Sequence, residues 1–250
     1  KNGDKDPWKN LEKAATDGVK HDVPGGHHDA GDWNPRAHID VAEALFLLYD
    51  LNPSAFKDSQ LRIPEKGNGI PEVLDEAFWA LNLWIHLQDS DGGVRYGTES
   101  AGDPKEGDSA ETDSLREFAF AKDARGSYRF AANAANASSI LKSLGKSADA
   151  KAWLDRALKA YAWAGKNGGD SESDFHTFAA AALLRATGEK RFDEDFKRHS
   201  AIAKDPNAET EAYQKHNQTL GSFYYAFSKE GDPSLKSAIT ASFEKTFKAW

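Results

Sequence analysis

Cysteine is absent, so the chain has no disulfide and no thiolate metal centre. Methionine is absent too, which is unusual for 250 residues, and the first residue is Lys1; both fit a processed or excerpted chain. No basic block occurs and the net charge is −8, which argues against a nucleic-acid surface. No apolar run is long enough to span a bilayer, so no membrane partner is expected. No signal peptide is visible. What remains is a mixed composition, 39% apolar and 29% charged, able to bury a sizeable core.

After a polar, glycine-rich opening the pattern turns helical. The segment HIDVAEALFLLYDLNP puts Ile39, Ala42, Leu45, Phe46 and Tyr49 on one stripe and stops at Asn52-Pro53. GIPEVLDEAFWALNLWIHLQDSDGG opens with Pro71 in a first-turn position. It places Glu72, Asp75 and Glu76 near the positive helix end, carries Val73, Leu74, Ala77, Leu81, Trp84 and Leu87 as its stripe, and ends at Gly92-Gly93. Residues 94–126 show no sustained period and read as a long loop, from which Arg95, Tyr96 and Glu99 are candidates to reach a cleft.

From Ser127 a unit recurs: an apolar helix end, a glycine, a short polar turn, a new helix. Gly145, Gly188 and Gly231 follow one another at a spacing of 43 residues, each expected as a left-handed C′ cap. About eight helices are expected, with strands playing little part. Hairpins at this period either stack as an open solenoid or close into a double ring. An open array would repeat from end to end, whereas one chemically dense loop precedes the first helix and another interrupts the series; that favours the ring.

The dense loop is DVPGGHHDAGDWNPR, Asp22–Arg36. A solvated turn with Asp32 as a cap accounts for an arbitrary Asp-x-x-Asp, but not for so many converging groups. Gly25, Gly26 and Gly31 allow a sharp turn and close backbone approach to a ligand. Asp29 and Asp32 are then able to hold one water between them, the base half of inverting glycoside hydrolysis. Trp33 offers a flat face to a pyranose, His27, His28 and Asn34 meet hydroxyls, and Arg36 is a counter-charge for Asp32. A metal site at His27, His28, Asp29 and Asp32 is the competitor, weakened by the poor convergence of adjacent histidines. A helical scaffold binding a protein on a concave face is a second alternative, and a carbohydrate-binding relic a third; a scaffold would spread its polar chemistry along each repeat.

DVPGGHHDAGDWNPR resembles the catalytic-base loop of the family 9 glycoside hydrolases, which read Asp-x-x-Gly-Gly-x-x-Asp-Ala-Gly-Asp. IPEVLDEAFWALNLWIHLQDSDGGV resembles the helix that follows, and GSYRFAANAANASSIL, more weakly, the next inner helix. The resemblance implies an all-α, six-hairpin (α/α) toroid. It implies hydrolysis of β-1,4-linked glucans by inversion, with Asp32 as general base, Asp29 helping to bind the water, and a secreted or periplasmic setting. It makes residues 1–250 a partial catalytic domain with base loop 22–36. The family's general acid is a Glu following Asn near the domain C-terminus; no Asn-Glu pair occurs here, so the acid and the last helices are expected outside this sequence. His27-His28 stand where members often carry Trp-Tyr or Trp-His, and Trp33 where they often carry His. Many members bind calcium through carboxylates leading into the next inner helix; no Asp or Glu occurs from Ala124 to Ala148, so neither calcium nor any cofactor is expected. DSDGG at Asp89–Gly93 lacks the closing Glu of a calcium loop and reads as a polar helix end.

Overall fold

The structure is a computed structural model that describes residues 18, 20, 22–28, 38–109, 111–168 and 173–248. It separates into two compact units, one of Lys1–Asp89 with Arg95–Lys122 and one of Ser90–Val94 with Asp123–Trp250.

In the first unit, α1 (Asp40–Leu51) and α2 (Glu72–His86) pack together. Ile39, Ala42, Phe46 and Tyr49 of the expected stripe are buried, and so are Leu74, Ala77, Leu81 and Trp84 of the second. Phe46 meets Phe78 edge-on at 5.8 Å between ring centres. Pro71 stands one position earlier than expected, as the residue before the helix rather than inside its first turn. Between the helices a 3-10 turn (Pro53–Ala55) leads into an exposed loop held by Asp58, whose carboxylate accepts from the backbone N–H of Gly67 and Gly69. Those bonds hold Asp58 below the usual carboxylate range. Helix α2 stops at His86, short of the glycines, and Leu87 turns back to accept from the Arg95 N–H.

Residues 94–126 were expected as loop alone, and here the structure differs. Strands β1 (Thr98–Ser100) and β2 (Glu117–Ala119) pair antiparallel, Glu99 opposite Phe118. Three-residue strands are too short to impose a readable alternation.

In the second unit, α3 (Ala124–Ser143) is capped by Asp123, whose side chain accepts from Gly126 N–H at 2.6 Å. It is buried on nearly every face, and its many alanines let neighbours approach closely. Helix α4 (Ser147–Asn167) and α5 (Ser173–Thr187) both pack on it. The rest are α6 (Lys190–His199), the single turn α7 (Ala201–Lys204), the hairpin of β3 (Glu211–Ala212) and β4 (His216–Asn217), α8 (Thr219–Phe227) and α9 (Pro233–Lys248). Helices α3, α5 and α8 form an inner row, α5 between the other two, while α4, α6 and α9 lie against them in turn. This is the hairpin series read from the 43-residue spacing.

Gly145 (φ +77°) and Gly188 (φ +72°) are left-handed caps as expected. Gly231 is not: its φ lies outside the left-handed region, and a Cβ there would meet Ser228 Oγ at 2.8 Å and Lys236 Cε at 2.9 Å. The third turn is closed instead by the Lys236 ammonium on the Ser228 carbonyl. Beside it, Tyr225 Oη donates to Asp193 Oδ1, Lys197 Nζ bridges Asp193 (2.8 Å) and Asp232 (3.2 Å), and Asp232 N–H donates to Tyr225 Oη (2.9 Å). Burial and the Asp193 carboxylate raise the Tyr225 hydroxyl above its ordinary range.

Candidate functional site

Within 22–36 the structure describes Asp22 to His28; Asp29, Asp32, Trp33 and Arg36, with Gly31 and Asn34, lie outside the described residues. The described part is pinned to one face of α2. Asn82 Nδ2 donates to Pro24 O (3.2 Å), Gly26 N–H donates to Trp79 O (3.0 Å), and His27 Nε2–H donates to Glu76 Oε1 (2.7 Å). Glu76, Trp79 and Asn82 are spaced i, i+3, i+6, and the chain descends that stripe toward the start of the helix.

The glycines explain how the chain lies so close. Gly25 has φ +89° and Gly26 +84°, in the left-handed region. A Cβ on Gly25 would meet Trp79 O at 2.7 Å and Asn82 Cβ at 2.8 Å. The close approach expected toward a ligand is thus made, at Gly25, toward the α2 backbone. Among the described residues His27 Nδ1 is buried without a hydrogen-bond partner, and His28 is exposed. Glu76, Trp79 and Asn82 were missed as functional partners, Glu76 having been read only as a charge near the helix end. The signal available was Trp79, a large aromatic off the core stripe, here half exposed.

Other singled-out residues have structural partners. Arg95 and Lys122 both pair with Asp89, and Arg95 also donates to Phe120 O. Tyr96 sits edge-on to the buried Trp84, and Glu99 is buried in β1. Asp91 accepts from Gly93 N–H and from Trp163 Nε1–H, so DSDGG acts as a polar turn. Trp153 lies near Phe130, and Tyr224 and Tyr225 are core. Among the described residues no group of three His, Asp or Glu is placed to hold a metal, and no helix is long and apolar enough to cross a membrane.

Tyr161, expected as packing, also belongs to a polar chain at the junction of α4, α5 and α6. Tyr161 Oη donates to Asp195 Oδ2 (2.9 Å) and accepts from His176 Nε2–H (2.8 Å). His176 stacks on Tyr128 at 4.4 Å, with His199 at 4.0 Å. Burial, then the neighbouring His199, push His176 down to about 4.

Helical hairpins in inner and outer rows, preceded by a glycine-rich loop seated on α2, define a helical-hairpin protein of the (α/α) toroid class. The profile of glycosyl hydrolase family 9 matches residues 3–249, and the chain belongs to that family. A metagenome-derived family 9 endoglucanase superposes with TM-score 0.79 at 25% identity, over 92% of this chain and 45% of that one. A family 9 protein of Bacteroides ovatus shares the fold at TM-score 0.76 and 21% identity, over 92% of this chain and 50% of its own. Endoglucanase D of Acetivibrio thermocellus is 36% identical over 80 residues, 31% of this chain and 13% of that protein. The chain therefore spans about half the length of these solved relatives and a smaller share of the curated one.

Proposed function

We propose that this chain carries the base side of an inverting β-1,4-glucan hydrolase, a partial (α/α) catalytic domain over residues 1–250 with its base loop at 22–36. Asp32 is the general base and Asp29 helps it hold the attacking water. Trp33 stacks on the sugar ring, His28 meets its hydroxyls, and Arg36 keeps Asp32 ionised, while His27 is taken up by Glu76. The support is family membership together with the seat of the loop: residues 24–27 are clamped on α2 and lead directly into Asp29. The endoglucanase and cellobiosidase among its relatives favour a cellulose-like substrate. Family membership supports a secreted or periplasmic setting. No Glu of this sequence follows an Asn, the context in which the family carries its general acid.

The test is turnover of a soluble β-glucan by the full-length protein and by Asp32→Ala. Loss of a positioned base lowers the rate about a hundredfold or more, and NMR of the first product shows the inverted anomer. Near wild-type turnover by Asp32→Ala, or a retained β-anomer, refutes the assignment. Binding of cellotetraose without turnover by the unaltered protein identifies a sugar-binding relative that lacks the acid.

A further inference from the structure

We propose that Glu76 is the positioning residue of the base loop, acting through His27. The proposal rests on the reading of Asp29 and Asp32 as the water-holding pair. His27 is the last of the three described anchors on α2, and Asp29 follows two residues later. Glu76 is a carboxylate and so accepts, which assigns the ring hydrogen to Nε2. Among the described residues Nδ1 is buried without a hydrogen-bond partner, so the ring is gripped through Nε2. That bond fixes the ring plane, and with the neighbouring Gly26 anchor it holds the backbone at His27.

Glu76 is itself 56% exposed, beyond the core-facing stripe of α2, so it adds little to global stability. What it supplies is orientation. An error of about 1 Å in a catalytic group is enough to lower a rate a hundredfold. The other two anchors are made by main-chain atoms of Pro24 and Gly26, and neither controls the His27 side chain. Among the described bonds, the one from Glu76 alone grips the loop through a side chain of the loop itself.

The experiment compares the full-length protein with Glu76→Ala and Glu76→Gln, using 15N NMR of the histidine ring and turnover of soluble β-glucan. The unaltered protein shows a hydrogen held on His27 Nε2. In Glu76→Ala that hydrogen is no longer held, kcat falls about tenfold or more, and KM and the melting temperature stay nearly unchanged. Glu76→Gln, which keeps an acceptor oxygen, restores the held Nε2 hydrogen and most of kcat. No hydrogen on Nε2 in the unaltered protein, or an unchanged kcat in Glu76→Ala, overturns the proposal. Asp32→Ala separates this from the underlying reading: it abolishes turnover and leaves the His27 signals in place. If Asp32→Ala remains active, the base assignment fails, and positioning of that base fails with it whatever the His27 ring shows.

Discussion

Gly25→Ala isolates the seat of the base loop, and Gly67→Ala is its control. Both glycines lie in the same unit at nearly the same φ, +89° and +88°. A Cβ on Gly67 meets nothing within 4 Å, so the control reports backbone strain alone, about 1–2 kcal/mol. On Gly25 the methyl lands 2.7 Å from Trp79 O and 2.8 Å from Asn82 Cβ. Neither is the free end of a flexible side chain. Trp79 O is also the acceptor for Gly26 N–H, so any shift that relieves the overlap stretches that bond. Strain, overpacking and a weakened hydrogen bond together make about 3–5 kcal/mol. That is more than the docking of a short loop withstands, so residues 24–27 detach from α2 while the helices remain folded. Native-state hydrogen exchange reads this directly: the Gly26 amide is protected in the unaltered protein and in Gly67→Ala, and exchanges freely in Gly25→Ala. Cellotetraose binding, under the proposed function, is lost in parallel. Continued protection of the Gly26 amide in Gly25→Ala, with no greater loss of stability than in Gly67→Ala, refutes the close packing of this loop on α2.

His176 titrates at about 4 in the fold, against an ordinary value of 6.5. Between these the unfolded chain binds more protons, so stability falls as pH drops from 6.5 to 4, by at most about 3 kcal/mol. Urea unfolding at the two ends checks this; His176→Gln removes that part of the slope, and an unchanged slope refutes it. Tyr225→Phe strips a partner from Asp193 and from the Asp232 N–H, and denaturant melts should show a loss of about 1–3 kcal/mol. Gly93→Ala puts a methyl 2.5 Å from the Trp163 ring and should cost about 1–3 kcal/mol. Much of that loss is recovered when Trp163→Ala is added, which a double-mutant cycle measures.

The helices were legible because each carries its own periodic stripe. Ile39, Ala42, Phe46 and Tyr49, or Leu74, Ala77, Leu81 and Trp84, announce a buried face without reference to any other element. The equal spacing of Gly145, Gly188 and Gly231 likewise announced three hairpins, because a turn of fixed length is a local feature. The conformation of Gly231 was not local: it depends on Ser228 and Lys236 closing the turn from both sides, which the spacing does not encode. The strands β1 and β2 escaped for the same reason, since three residues hold too little pattern and their pairing joins segments some seventeen residues apart. At the candidate site the sequence alone concentrated carboxylates, histidines and glycines in 22–36, and that density pointed to chemistry. Only the tertiary structure decided what the glycines approach and which residue grips His27. Glu76, Trp79 and Asn82 stand about fifty residues away along the chain, and apart from Trp79 lying off the core stripe nothing local marks them as partners. Composition and period fix what a segment is able to form; contacts between distant segments depend on how helix faces pack, and packing is set by the whole fold.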